Sequence, residues 1–206
     1  MCKESNKKYT LKYEEELLPF MEVIEAMYIE TSEEDVVFRS TLADPPTLKD
    51  STPQSKRENE EGVEEEVIIL TKEEADTLTE KEKKDFVGER AISVFKSREK
   101  CLKELGNIVN HIADKYSLDE SETYLNAKRG PFMVKLKLSP KVGLIEKEFN
   151  KNGHKNVLLN EGEVVNDYVI ETFPSMEFRD LLNEKNLNKY SNSEGENEVR
   201  DATPEG

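Results

Sequence analysis

The sequence predicts an α+β protein in which helices dominate the first half and short antiparallel strands the second. Two observations lead to this prediction. Apolar residues from about 89 to 116 recur at steps of four and three, which is the spacing of one helix face. From Phe132 to Leu138, apolar and polar residues alternate, which is the spacing of a half-exposed strand. The period therefore changes from helical to extended near Gly130.

The first half begins with an amphipathic helix. Leu17, Phe20, Ile24 and Met27 share one of its faces, and Pro19 fits its first turn, where a missing amide hydrogen does no harm. Short strands are predicted at Val36–Phe38 and Val67–Leu70. Thr71 and Glu74 have the spacing of a capping box that opens a solvent-exposed helix. That helix is predicted to join the long amphipathic helix, at about 89–116, near Gly88.

The second half alternates strands with two short helices. After the strand at Phe132–Leu138, Ser139-Pro140 has the pattern of a helix start, and the predicted helix contains Val142, Leu144, Ile145 and Phe149. Further strands are predicted at Val157–Leu159 and Val164–Phe173. Pro174-Ser175 then opens a last helix that turns Met176, Phe178, Leu181 and Leu182 inward.

Two polar segments divide the chain. Residues 44–62 contain three prolines and almost no apolar side chains, and residues 191–206 have a similarly polar composition, so both are predicted to be disordered. The remaining regions are 1–43, with the first helix and short strands, 63–127, which is helical, and 128–190, which is α+β. Without the two polar segments, the apolar fraction of 35% becomes ordinary for a folded core.

Composition excludes several classes of protein. The net charge of −15 is the opposite of a general nucleic-acid binder, and no apolar run is long enough for a membrane span or a signal peptide. Two cysteines are too few for a disulfide framework. We therefore expect an intracellular protein, in the cytoplasm or the nucleus, that is neither secreted nor membrane-bound.

No motif indicates catalysis, a cofactor or a metal. Phosphate-binding loops, a calcium loop and a nucleophile elbow are all missing from the sequence. His111 and His154 have no cysteine at ligand spacing, and we interpret them as a helix-surface and a loop residue. Cys101, although near Lys100 and Lys103, is interpreted as a packing residue. No catalytic, cofactor-binding or metal-binding residue is predicted.

The long helix supplies the first candidate site. An amphipathic helix of this length in an apolar-poor chain is expected to offer part of its seam to another protein, while packing against the first helix of the same chain is the alternative. Arg98 interrupts the seam, and a buried cation there requires an acidic partner. The candidate partner-binding residues are Phe95, Arg98, Leu102, Leu105, Val109 and Ile112.

The second candidate site is a basic stretch. Residues 128–155 hold eight basic and two acidic side chains between acidic flanks. Such a stretch can contact phosphates, and the alternative is that its cations pair with the acidic segments. The candidate nucleic-acid-binding residues are Lys128, Arg129, Lys135, Lys137, Lys141 and Lys147.

The run EEELLPFMEVIEAMYIE at residues 14–30 resembles the opening helix of RWD domains, where a similar E-x-L-E-A-L-E-S-I-Y pattern occurs. The later Tyr-Pro motif and proline-rich turn of that family are missing, so the resemblance covers this segment alone.

Together these observations favour a non-enzymatic adaptor or regulatory subunit that binds another protein through its amphipathic helices. Self-association is compatible with this hypothesis. The alternative is a nucleic-acid-associated factor that uses residues 128–155. An acidic mimic of nucleic acid, or an enzyme whose residues converge only in three dimensions, are the remaining hypotheses.

Overall fold

The structure, a computed structural model, describes residues 10–53, 56 and 68–189. It contains a seven-stranded, entirely antiparallel sheet with the order β1-β5-β6-β3-β2-β4-β7. Helices accompany this sheet, so the predicted α+β class is confirmed. Three of the seven strands precede residue 96, and the first half is therefore less helical than predicted.

The strands are β1 (Tyr28–Glu30), β2 (Val36–Thr41), β3 (Ile92–Phe95), β4 (Phe132–Lys137), β5 (Gly143–Glu146), β6 (His154–Leu159) and β7 (Val169–Phe173). The α-helices are α1 (Glu14–Leu17), α2 (Met21–Met27), α3 (Lys72–Thr77), α4 (Glu80–Glu89), α5 (Arg98–Ala113) and α6 (Leu118–Tyr124). Short 3-10 turns occur at Leu18–Phe20, Leu48–Ser51, Val165–Tyr168 and Phe178–Leu181, and a π turn at Leu125–Arg129. Residues 184–189 are also helical.

The two faces of the sheet are covered differently. Successive side chains of a strand point to opposite faces, so Ile145 and Val157 join one apolar cluster and their neighbours Leu144 and Leu158 another. The turn Val165–Tyr168 packs on the first cluster. On the other face, α1 to α4 cover the β1, β5 and β6 end, while α5 and α6 cover Phe95 and Met133. The helical layer thus consists of two groups.

The prediction of one helix from about 89 to 116 was wrong at its start. Residues Ile92–Phe95 form β3, which pairs with β6, and α5 begins only at Arg98. Ser97 marks this start, since its side chain accepts a hydrogen bond from the Lys100 amide. Ala91 and Phe95 fit a helix face as well as a strand, because their spacing of four suits both periods.

The helix predicted after Ser139-Pro140 was also wrong, because Gly143–Glu146 form strand β5 between β1 and β6. Val142, Gly143, Leu144 and Ile145 are all buried, so the strand lacks the alternation by which a half-exposed strand is recognised. Gly143 is required here. Its φ is 147°, and a Cβ would lie 1.9 Å from the Leu158 carbonyl oxygen.

Other elements agree with the sequence to different extents. Strands were correctly predicted at Val36–Phe38, Phe132–Leu138 and Val157–Leu159, although their ends differ by a few residues. The first helix is divided into α1, a 3-10 turn and α2, and the Thr71–Glu74 capping box is confirmed. The helix predicted after Pro174 is only the 3-10 turn Phe178–Leu181. Residues 68–70 are not a strand.

Part of the segment predicted to be disordered is ordered. Residues 44–53 contain the 3-10 turn Leu48–Ser51, and Asp50 and Ser51 in it are fully buried. Most of residues 54–67 and the whole of 190–206 lie outside the described residues, and the predicted disordered tail lies there. In this part of the segment, the exposed Thr47 and the buried Asp50 close the capping box of the turn.

A buried ion pair fixes the first helix to the end of α4. The Glu16 carboxylate accepts hydrogen bonds from Arg90 Nε at 3.0 Å and Nη2 at 2.8 Å, and Lys56 Nζ lies 2.8 Å from the same oxygen. Arg90 stacks on the Phe86 ring. Glu16 and Arg90 are only 3% and 4% exposed, so each is paired where water cannot solvate it.

We expect Glu16→Gln to lower the free energy of unfolding by about 3 kcal/mol, because it leaves two buried cations without their carboxylate. Urea denaturation measures this change. Glu89→Gln is the matched control, since Glu89 also pairs with Arg90 but its side chain is 59% exposed. Equal losses of stability in the two variants would contradict the assignment.

Candidate functional site

The two helical groups leave a cleft of about 580 Å³ between them on the helix-covered face of the sheet. Its walls are α4 and α5, and its floor is formed by β3 and β6. Residues of β2 and the π turn close it at one end. The lining residues are Arg39, Ser40, Lys84, Asp85, Gly88, Glu89, Ala91, Ser93, Phe95, Cys101, Glu104, Leu105, Ile108, Arg129, His154 and Asn156. Polar groups dominate this lining, although apolar clusters lie on both sides.

Strand pairing builds the floor. Ser93 lies opposite Asn156 and Phe95 opposite His154, so the four side chains point to the same face from adjacent strands. The rings of Phe95 and His154 meet edge to face with their centroids 5.3 Å apart. Because alternate residues of a strand share one face, β3 and β6 therefore place one imidazole, one amide and one hydroxyl side by side.

Asn156 is held from behind by Glu146 of β5. The Asn156 backbone amide donates to Glu146 Oε2 at 2.8 Å, and its side-chain Nδ2 donates to Oε1 at 3.3 Å. Gly88 of α4 approaches the same amide, since a Cβ on Gly88 would lie 3.4 Å from Asn156 Nδ2. These contacts fix the orientation of the amide in the floor.

Arg39 enters the cleft where β2 and β3 diverge. The two strands share a single residue pair, Phe38 and Phe95, whereas β2 pairs with β4 over six residues. Beyond that pair, Arg39 Nη1 donates to the Ser93 carbonyl at 2.7 Å and Nη2 to the Asp50 carbonyl at 3.0 Å. The side chain is 6% exposed. Arg39 thus presents a buried positive charge that is held by backbone oxygens.

Arg129 supplies the second guanidinium. It ends the π turn, and Gly130 directs the chain from there against β2, with a φ of 80° and a virtual Cβ 1.8 Å from the Thr41 carbonyl oxygen. The Nε atom of Arg129 is buried and has no hydrogen-bond partner in the described part of the chain. No described carboxylate forms an ion pair with this side chain.

The buried and exposed charges of the cleft differ in sign. Arg39 is buried and Arg129 is partly buried. Among the lining carboxylates, Glu104 is the most buried, and it too is partly buried. Lys84, Asp85 and Glu89 of α4 are exposed at the rim, where water screens them. The inner end of the cleft is therefore positive, although the lining as a whole has equal numbers of formal charges.

His154 is neutral at pH 7 in this setting. Burial lowers its pKa, Glu146 and Glu104 act in the opposite direction, and Arg129 and Arg39 lower it further. The imidazole thus offers one donor and one acceptor to the cleft at neutral pH, and protonation in acid would add a third positive group.

Cys101 lines the inner wall but is not activated. It is fully buried, and burial raises the pKa of its thiol to about 12, although Arg39 acts to lower it. Reactive cysteines have a lowered pKa and partial exposure. The interpretation of Cys101 as a packing residue agrees with this environment.

The structure uses most of the predicted partner-binding seam within the chain. Phe95, Leu105 and Val109 are buried in the cluster beneath α5, and Leu102 packs against it. Ile112 is partly buried, and Arg98 is exposed and lies over the Phe173 ring at 4.9 Å. Arg98 is therefore not a buried cation. The seam packs against the sheet, and not against the first helix as its intramolecular alternative assumed.

The predicted nucleic-acid-binding residues are dispersed. Lys135 lies 3.5 Å from Glu171 of β7, and Lys147 Nζ donates to the Glu25 and Ala26 carbonyls at the end of α2. Lys137 and Lys141 are exposed, Arg129 lines the cleft, and the side chain of Lys128 lies outside the described part. Binding of nucleic acid through 128–155 stays a prediction.

The described residues contain neither a cluster of metal-binding side chains nor a membrane-spanning helix. No group of three or more His, Cys, Asp or Glu side chains there has a geometry that suits a metal ion. Within 10–53, 56 and 68–189, no helix has both the length and the apolar composition required to cross a membrane.

Comparisons of this chain with protein-family models, with curated proteins and with solved structures find no match.

Sequence reasoning missed the cleft, although two signals for it are present. Arg39 interrupts the apolar strand VVFRST at a position where a cation must find a buried partner. His154 and Asn156 are polar residues two apart at the start of a strand that continues as Val157, Leu158 and Leu159, and such a pair shares one face.

We expect the Cys101 thiol to resist alkylation by iodoacetamide in the native protein at pH 8, because the thiolate is scarce and the sulfur is covered. Mass spectrometry of a Cys2→Ser variant, in which Cys101 is the remaining thiol, measures the labelling rate. Guanidinium-unfolded protein is the control and should label fully. Rapid labelling of the folded protein would show that the thiol is accessible and ionised.

Proposed function

We propose that this protein binds a small organic anion in the cleft between α4 and α5. The observation that carries the proposal is Arg129, a partly buried guanidinium without an ion-pair partner in the described residues, in the same cleft as the buried Arg39. A buried cation without a counter-charge costs free energy, and an anionic ligand removes that cost. The protein therefore gains stability when the cleft is filled.

The chemistry of the cleft favours an oxyanion with a flat apolar body. A guanidinium presents a planar fork of donors that matches phosphate or carboxylate oxygens. Next to this positive end lie Phe95, Leu105 and Ile108, which suit a ring or a short hydrocarbon. The cleft volume of about 580 Å³ lies in the usual range for small-molecule sites.

Three probes separate the two parts of such a ligand. Phenyl phosphate has a dianionic head and a ring, benzoate has a carboxylate and a ring, and benzyl alcohol has the ring alone. We expect phenyl phosphate to bind with a dissociation constant on the order of 1 mM or tighter, and benzyl alcohol to bind much more weakly. The relative affinity of phenyl phosphate and benzoate decides between the two oxyanions. Titrations followed by NMR measure all three.

We expect Arg129→Gln to weaken binding of phenyl phosphate about tenfold, because one charged hydrogen-bond donor is lost. Arg98→Gln is the matched control, since Arg98 is exposed and lies outside the cleft. Its affinity should equal that of the wild type. If neither oxyanion perturbs the resonances of cleft residues, or if the Arg98 and Arg129 variants lose affinity equally, the proposal is wrong.

Binding of another protein is the second candidate, and a different observation favours it. Leu18, Ile68 and Ile69 are 57%, 50% and 57% exposed, and the turn that contains Leu18 packs against α3, which begins soon after Ile69. Clustered exposed apolar side chains mark contact surfaces more often than isolated ones do. This surface supports the adaptor hypothesis better than the seam of α5 does.

For this second candidate, we expect Leu18→Ser/Ile69→Ser to abolish association while the fold is preserved. Light scattering coupled to size exclusion tests self-association, and pull-down from a native extract tests other partners. Ile170→Ser is the matched control, because Ile170 is 54% exposed on strand β7, whereas Leu18 and Ile69 lie outside the sheet. Association that is unchanged in the double variant, or absent from the wild type, would contradict this candidate.

A further inference from the structure

The Asp50 carbonyl, which lies outside the lining of the cleft, is one of the oxygens that hold the Arg39 guanidinium. Arg39 Nη2 donates to it at 3.0 Å, and Nη1 donates to Ser93 in β3 at 2.7 Å. Ser93 belongs to the sheet, whereas Asp50 belongs to the 3-10 turn Leu48–Ser51. The direction of the guanidinium thus depends on one oxygen from the sheet and one from a turn.

The Asp50 carboxylate fixes the position of that turn. It is fully buried, and it accepts hydrogen bonds from the Leu42 amide at 2.6 Å and from the Thr47 amide at 2.9 Å. The Thr47 hydroxyl donates to it as well, at 3.3 Å. Because Leu42 directly follows β2, the carboxylate ties the turn to the strand that also bears Arg39.

The next residue anchors the turn on its other side. The Ser51 hydroxyl oxygen accepts a hydrogen bond from the Val165 amide at 2.7 Å, and Ser51 is fully buried. Val165 belongs to the apolar cluster of the opposite sheet face. The turn is therefore held between β2 and the core, and it cannot shift without breaking buried hydrogen bonds.

The turn affects the direction of the guanidinium because an arginine side chain is flexible. An unrestrained arginine side chain has about 2 kcal/mol of rotamer entropy, so a guanidinium that is not held in place samples many directions. Pairing of β2 with β4 holds the main chain of Arg39, but it does not restrain the guanidinium. The Ser93 and Asp50 carbonyls supply that restraint.

We infer that Asp50 is the positioning residue for Arg39: its carboxylate fixes the turn whose carbonyl holds the guanidinium in the cleft. The inference on geometry is independent of any ligand, and its consequence for affinity rests on the proposed function. Asp50 itself does not line the cleft.

His154 reports the position of Arg39 without a ligand. Arg39 is one of the groups that lower the pKa of His154, together with Arg129, while Glu146 and Glu104 raise it. If Arg39 leaves its position, the pKa of His154 should rise. The chain has two histidines, so the signals of His154 can be followed in an NMR titration.

The experiment compares four variants with the wild type. Asp50→Asn removes the carboxylate, and Thr47→Ala removes one exposed donor to it as a milder change. Arg39→Gln gives the pKa of His154 when the Arg39 charge is lost. Glu120→Gln disrupts the Ser117–Glu120 capping box of α6, which has the same arrangement but no contact with Arg39, and is the matched control.

We expect the pKa of His154 to rise in Asp50→Asn toward its value in Arg39→Gln, and to rise less in Thr47→Ala. Glu120→Gln should leave it unchanged. An unchanged pKa of His154 in natively folded Asp50→Asn overturns the inference, as does an equal rise in Glu120→Gln. If Asp50→Asn lacks a native spectrum, the same criteria apply to Thr47→Ala.

Ligand affinity separates this inference from the proposed function. If the wild type binds phenyl phosphate, Asp50→Asn should weaken binding about tenfold and Glu120→Gln should not. If the wild type does not bind, the proposed function fails, while the titration of His154 still decides whether Asp50 positions Arg39. Unchanged affinity in Asp50→Asn, with binding in the wild type, overturns the consequence for the cleft.

Discussion

The divergence of β2 and β3 is the constraint on which the rest of the structure depends. Strands β1, β5, β6 and β3 form one part of the sheet and β2, β4 and β7 the other, and one residue pair joins them. Backbone groups at such a point need substitute partners, because an unpaired buried carbonyl is costly. Arg39 provides one for Ser93. The same divergence separates the helices that cover the two parts, so Arg39 and the cleft that it lines lie at the same junction of the sheet.

The buried cations show why Arg129 is unusual in this acidic protein. Arg90 has the Glu16 carboxylate, Arg39 has two backbone carbonyls, and Lys155 donates to the Lys147 carbonyl and lies 4.5 Å from the Phe149 ring centroid. Each of these groups has an internal partner that offsets its desolvation. Arg129, although acids outnumber bases by 15 in the chain, has none among the described residues. Glu104 also lines the cleft, but no described carboxylate forms an ion pair with Arg129, and this position suits an anionic ligand.

The strand at Phe132–Leu138, which has polar residues on one face, was predictable from the sequence, whereas the buried strand β5 was not. The strand from Phe132 was recognised because Lys135 and Lys137 interrupt its apolar residues at period two. Strand β5 is buried on both faces, so Leu144 and Ile145 give no alternation, and the preceding Ser139-Pro140 favoured a helix instead. Strand β3 was merged with α5 because Ala91 and Phe95 fit either period. In both cases, pairing with distant strands determined the secondary structure of a segment whose local sequence pattern was ambiguous.

The cleft was less predictable than the fold, because its residues come from four separate parts of the chain. The basic stretch was interpreted as one surface, but its side chains lie in different places. Arg129 lines the cleft, whereas Lys147 donates to carbonyls at the end of α2. His154 follows an Asn-Gly turn and was interpreted as a loop residue, yet it is the first residue of β6 and faces Phe95. Counting charges along the sequence therefore identified Arg129 as a candidate binding residue, but it grouped Arg129 with lysines that lie elsewhere in the structure. The pairing of β3 with β6 and the anchoring of Arg39 by the Asp50 turn determine which charges meet, and neither contact has a local signature.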